Sequence, residues 1–170
     1  IHQFDHNDAT NEFFLEIFSG DRCLTFALMA HRVIVHEIDL KRKGKSSNLD
    51  NAKLYNIVRD HVRSGNCLGV WFGFPCGTFS SARRHDGGPP PLRGECPKTI
   101  EGLPGLSPKD RRRVDGANRL LRRMHELCVE CDRANVPFYI ENPTRSKLWK
   151  HYLIKKWLYH KKGRAVVFDY

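Results

Sequence analysis

Asn11 to Asp39, NEFFLEIFSGDRCLTFALMAHRVIVHEID, is the stretch whose reading decides the fold. Its first part ends in an apolar run that stops at Ser19-Gly20, the pattern of a buried strand broken by a glycine. Between Asp21 and His31, Leu24, Ala27, Leu28 and Ala30 predict a short amphipathic helix. Arg32 to Asp39, RVIVHEID, is β-branched and closes on acids, which predicts a second strand. Strand, glycine turn, helix and strand in that order open a parallel βαβ unit, because neighbouring strands that run the same way need a crossover between them.

The alternation continues outward. Asn51 to Arg63 places Leu54, Ile57, Val58 and Val62 on one helical face, and Cys67 to Phe74 follows as an apolar strand. Lys109 to Ala134 has the strongest helical period, with Val114, Ala117, Leu120, Leu121, Met124, Leu127, Cys128 and Cys131 spaced at three and four and arginines dense on the other face. Asn135 to Ile140 predicts a strand, Arg145 to Tyr159 a helix, and Arg164 to Tyr170 a last strand. No linker or repeat interrupts the series. The expectation is one α/β domain over residues 1–170, a three-layer Rossmann-like fold with a mainly parallel sheet. Residues 75–108, rich in glycine and proline, form a loop of a length that is uncommon unless it covers a site.

Lys and Arg outnumber Asp and Glu by 29 to 19, a net charge of +10. Clusters at Lys41 to Lys45, Arg83-Arg84, Arg111 to Arg113, Arg119 to Arg123, and Lys155-Lys156 with Lys161-Lys162 point to a polyanion as partner. No signal peptide or long apolar span suggests a membrane. The six cysteines lack the spacing of a secreted domain, and Cys128-Val-Glu-Cys131 has no second pair to complete a zinc site, so no metal is expected. A reducing interior, nucleus or nucleoid, is the expected location.

In a parallel sheet, ligands bind beyond the carboxyl ends of the strands. Those ends carry Ser19-Gly20, Glu37 with Asp39, Pro75-Cys76 and Glu141-Asn142, which are therefore expected to converge. Cys76 is followed by Gly77, the hydroxyls of Thr78, Ser80 and Ser81, and Arg83-Arg84, a polar and electropositive setting that favours the thiolate. Cys67, Cys128 and Cys131 lie within apolar patterns and suit packing instead. Glu141 follows Phe138, Tyr139 and Ile140, where a carboxyl at the lip of a buried strand can donate a proton or a hydrogen bond.

Four ordered segments resemble the cytosine carbon-5 methyltransferases that use S-adenosylmethionine. Phe14 to Gly20 is similar to that family's first cofactor motif, and His36 to Asp39 to the acidic end of its second strand. Gly73-Phe-Pro-Cys76 with Phe79-Ser80 resembles its catalytic loop, and Tyr139 to Asn142 its Glu-Asn motif. The resemblance implies that Cys76 adds to carbon 6 of a flipped-out cytosine in DNA while Glu141 holds ring nitrogen 3. It implies further that Phe18, Ser19 and Gly20 shape the turn against the methionine part of the cofactor. Glu37, with Ile38 beside it, would hold the ribose, Asp50 the adenine, and Pro75 the boundary between cofactor and base. Ser80, Arg83, Arg84 and Arg93 would grip phosphate.

The departures are specific. Asp21, Arg22 and Cys23 follow Gly20 where the family continues with further glycines, Gly77 replaces a glutamine, and Pro143 follows Glu-Asn. No target-recognition domain is present, so the chain is expected to be a piece of a longer protein or a reduced relative from a mobile element. Two other readings stay open: an inactive nucleic-acid-binding module that keeps the fold, and an RNA cytosine methyltransferase.

Overall fold

The computed structural model describes residues 12–40, 44–84, 86–160 and 163–167, without the side chains of Lys45 and Ser46. Among these residues the protein is α/β, with four strands and four α-helices. In chain order they are β1 (Phe13–Ile17), α1 (Cys23–Ala30), β2 (Ile34–Ile38), α2 (Ala52–Arg63), β3 (Cys67–Gly73), α3 (Pro108–Arg133), β4 (Phe138–Glu141) and α4 (Tyr152–Leu158). Short 3-10 turns cover Gly44–Ser47 and Lys147–Lys150. The chain forms two compact units, each built from two stretches: residues 1–74 with 126–141, and 75–125 with 142–170.

The first unit holds the sheet. Its order is β2-β1-β3-β4 and all three pairings are parallel. Leaving β1, the chain moves first to one side and then crosses back to the other, so the strand order reverses between β1 and β3. That reversal marks the crevice where such sheets bind ligands. Alternate residues point to opposite faces. On one face, Ile38, Ile17, Phe72 and Ile140 stand in register, and Leu15 pairs with Val70 in the row before. Leu15, Ile17, Val70 and Phe72 are fully buried, each contributing about 2 kcal/mol by leaving water.

Local chemistry sets the element ends. Asn51 caps α2, its side chain accepting from Lys53 N at 2.9 Å. Ser107 caps α3, accepting from Asp110 N at 3.1 Å and donating to its carboxylate at 2.9 Å, and Pro108 takes the first helical position. Asn135, with φ 56°, ends α3, as Val136 N reaches back to Cys131 O at 2.8 Å.

The second unit contains the long loop, which has no helix or strand in its described residues from 75 to 107. Phe79, Leu92 and Ile100 are nonetheless fully buried, so the loop contributes side chains to the core of this unit. Beyond it, the helix expected over Arg145 to Tyr159 is divided. Ser146 and His151 both have extended backbone and each caps the turn that follows, which produces a 3-10 turn and then α4. Among the described residues the expected last strand is not seen: Arg164 to Val167 are irregular, and Val166 and Val167 are 77% and 72% exposed. No strand of the four-stranded sheet pairs with them. Residues 168–170, with Lys41 to Lys43 and Lys161-Lys162 of the basic clusters, lie outside the described residues.

Candidate active site

At the carboxyl end of β1 the backbone turns sharply. Phe18 and Gly20 both have positive φ, 63° and 51°, and the turn is tied to β2 by Phe18 N to Ile38 O at 2.7 Å and Gly20 N to Asp39 Oδ2 at 3.1 Å. Phe18 meets Phe74 edge to face, their ring centres 5.5 Å apart. Gly73 is required here, because a Cβ on it would lie 2.8 Å from Phe18 O. Ser19 is 8% exposed and its hydroxyl has no hydrogen-bond partner among the described residues. A buried unpaired hydroxyl at the switch point is the kind of group a ligand completes.

One face of the sheet carries a polar row, Glu37, Glu16, Trp71 and Tyr139, in register across the four strands. Two carboxylates directly opposite each other repel. Burial raises the Glu16 pKa, against the hydroxyl of Thr25, which donates to its carboxylate. Glu37 is answered by Arg22, whose guanidinium pairs with it and lies 4.8 Å from the centre of the Phe26 ring. The carboxylate expected to hold a ribose is therefore already engaged by the residue that stands where the family has glycine. Sequence alternation flags Glu16 and Glu37 as neighbours on one face; nothing local flags Arg22 as their partner.

Glu141 ends β4 in register with Gly73 of β3. Trp71 donates Nε1–H to Glu141 Oε2 at 3.0 Å, and its ring stacks on Tyr139 at 5.6 Å. Trp71 thus orients the candidate acid, a role its shared parity with Gly73 on β3 could have signalled. The strand ends of the first unit, Phe18 to Gly20, Glu37 to Asp39, Gly73-Phe74 and Glu141, lie along one edge of the sheet, since all four strands are parallel. Asp50 sits in the turn before α2, its N–H bonded by Asn48 Oδ1 at 3.0 Å.

Pro75, Cys76 and Asn142 belong to the second unit, each following a strand end of the first by one to three residues in sequence. Cys76 is half-buried, and its carbonyl accepts from Phe79 N at 2.8 Å, closing a turn. That turn is fixed by Arg93. Arg93 is 1% exposed; it donates from Nε and Nη2 to Thr78 Oγ1 at 3.2 and 3.1 Å, and from Nη1 to Ile100 O at 2.8 Å and Asn118 Oδ1 at 2.7 Å. Nη2 also reaches Val114 O at 3.3 Å, and the guanidinium carbon stands 3.8 Å from the centre of the Phe79 ring. All five N–H groups are directed inward, which corrects the expectation of a phosphate grip: no donor is left for one.

Arg83 tethers the loop to itself, through Gly77 O at 3.1 Å and Pro90 O at 2.8 Å. Ser80 accepts from Ala82 N at 3.2 Å. Of the four residues expected to meet phosphate, Arg84 alone is exposed.

Cys67, Cys128 and Cys131 are buried. Burial pushes the Cys67 thiol up to about 11 and that of Cys131 higher still. Cys96, exposed, is lowered by its contact with the Thr99 hydroxyl at 3.0 Å. Among the described residues no group of three or more His, Cys, Asp or Glu is placed to hold a metal, and no helix is long and apolar enough to cross a membrane. Compared with protein-family models, curated proteins and solved structures, the chain matches none.

Proposed function

We propose that this chain is an S-adenosylmethionine-dependent methyltransferase acting on carbon 5 of cytosine in DNA, with a fold of that class. The observation that carries the reading is Glu141, oriented by Trp71 and in register with Gly73, three residues before Cys76. A cysteine shortly after one strand in sequence and an oriented carboxyl at the end of the strand paired with it are the two groups this chemistry needs. Cys76 Sγ, as thiolate, adds to carbon 6 of the base, and the ring electrons move toward carbon 5. Glu141 hydrogen-bonds ring nitrogen 3 and stabilises the charge that develops. Carbon 5 would take the methyl group, whose bond to the donor's sulfur breaks with the electron pair staying on that sulfur; carbon 5 then loses its proton to a base, and Sγ departs as the double bond re-forms.

The residues present fit the cofactor in part. The unpaired Ser19 hydroxyl and the open turn at Gly20, where a Cβ would meet nothing within 4 Å, suit a bound group. Ser19, Gly20 and Glu37 would hold it, and it supplies the methyl group when bound. The Arg22 pairing of Glu37 favours a second reading, an inactive nucleic-acid-binding module that keeps the fold. A DNA substrate would locate the protein in a nucleus or nucleoid.

The test is a covalent trap. A fluorine at carbon 5 blocks loss of the proton, so the full chain incubated with S-adenosylmethionine and a duplex containing 5-fluorocytosine should give an adduct by intact mass. An RNA carrying the same base distinguishes the RNA enzyme. Cys76→Ser, shown folded by circular dichroism, should give none. Absence of adduct despite measured binding of cofactor and DNA overturns the enzyme reading, and an adduct with Cys76→Ser overturns the choice of nucleophile.

A further inference from the structure

The net positive charge of this protein falls entirely in one of its two units. Residues 75–125 and 142–170 carry 19 lysines and arginines against six aspartates and glutamates, whereas 1–74 and 126–141 carry ten against 13. The second unit therefore holds more than the whole net charge of +10. The change of sign falls inside α3. Up to His125, seven lysines and arginines stand against Asp110 and Asp115; beyond it, Glu126, Glu130 and Asp132 stand against Arg133.

The helix organises this charge. Arg112, Arg119 and Arg123, spaced seven and four apart, fall on one face, opposite the buried Val114, Leu121 and Met124. Arg112 and Arg119 are exposed and Arg123 is half-buried. Gly116 lies between them on that face, and a Cβ there would meet only Arg119 Nη2, at 3.9 Å, so the face is open to close approach. Beside it is a cavity of about 370 Å³, lined by Arg111, Arg119 and Arg122 with Asn118, Gly102 and the acids Glu101 and Asp115. Glu101 is engaged, accepting from Arg122 Nη2 at 3.1 Å and Tyr152 OH at 2.9 Å. On α4, Lys155 and Lys156 are exposed.

We propose that the basic face of α3 in the second unit, centred on Arg112, Arg119 and Arg123, binds the phosphodiester backbone of a nucleic acid independently of its sequence. The proposal rests on the reading of the substrate as nucleic acid and assigns the grip that Arg93 and Arg83 do not supply. Guanidinium forks match phosphate oxygens in pairs, and arginines recurring along one helix face can follow a row of phosphates. Such contacts position a strand and carry no sequence information, and they weaken with salt as counterions are released.

The test measures fluorescence anisotropy of the full chain with a labelled duplex DNA, its single strand and an RNA of the same sequence, over a range of salt. Arg112→Gln/Arg119→Gln/Arg123→Gln should weaken binding about tenfold or more and reduce the slope of log K against log salt by about two to three. The corresponding lysine triple, which keeps the charge, should retain most of the affinity. A control triple in the first unit, Arg32→Gln/Lys53→Gln/Arg59→Gln, should lose less than about threefold. Thermal melts verify that each variant is folded. The backbone that binds most tightly identifies the source of the phosphodiester. Equal loss from both triples, no loss from the α3 triple, or binding only to anionic lipid vesicles overturns the proposal. If the α3 triple weakens binding but no 5-fluorocytosine adduct forms, the surface stands and methyl transfer falls. If the adduct forms and the α3 triple leaves its dependence on DNA concentration unchanged, the surface falls and the chemistry stands.

Discussion

On the proposed reading, Arg22 is the residue on which cofactor binding would turn. A left-handed backbone at a non-glycine residue costs on the order of 1 kcal/mol, and at Arg22, φ 66°, the contacts with Glu37 and Phe26 offset it. A bound ribose would have to displace that guanidinium from Glu37. Arg22→Gly keeps the backbone conformation and frees the carboxylate, so it should tighten binding of S-adenosylhomocysteine about tenfold by calorimetry, near 1.4 kcal/mol. Glu37→Gln should weaken it. Unchanged affinity in Arg22→Gly would mean that Arg22 does not compete for Glu37. The sequence exposes the missing glycines but not this pairing, since Arg22 and Glu37 are brought together only when β2 is laid beside β1.

At the scale of elements, Arg93 links the loop to α3, bonding Thr78 and Ile100 of the one and Asn118 and Val114 of the other. Burial lowers its pKa to about 10, which still leaves it charged at neutral pH. Lysine cannot reproduce the planar fork, so Arg93→Lys should cost about 3 kcal/mol or more in chemical denaturation. It should also lower adduct formation through the Cys76 turn, because Thr78 loses its donor. A loop arginine followed by Gly-Glu-Cys gives no local sign of such burial; its acceptors come from three separate parts of the chain.

A second element-scale effect concerns α4. His151, 1% exposed, caps that helix, its Nδ1 accepting from Leu153 N at 3.3 Å. Burial pushes its pKa down to about 4 from an ordinary 6.5. The unfolded chain therefore binds a proton that the native state refuses between these values, and stability rises with pH through that window and falls as pH drops from 6.5 toward 4. The full effect is about 3 kcal/mol. His151→Asn, which can still accept at the cap, should flatten the midpoint of thermal unfolding across the window. An unchanged slope would assign the dependence to other groups.

For the molecule as a whole, the alternation of strands and helices was legible because its signals are local: an apolar run stopped by Ser19-Gly20, the β-branched run from Arg32 to Asp39, and the apolar spacing from Val114 to Cys131. Arg164 to Val167 had the composition of a strand but pair with no strand among the described residues, and β-branched residues alone do not make one. The segregation of charge was visible in the clusters but acquired meaning only once the chain was divided into units.

That division has a consequence for how the protein assembles. β3 is complete at Gly73, yet its partner β4 begins only at Phe138, after the whole long loop and α3. Until then β3 presents an unpaired edge bearing Val70 and Phe72, and β4 must close a distant contact at an entropic cost. During synthesis on the ribosome, this half-built sheet is the species most exposed to strand exchange with another chain, and α3 is the segment whose early formation would shorten the search.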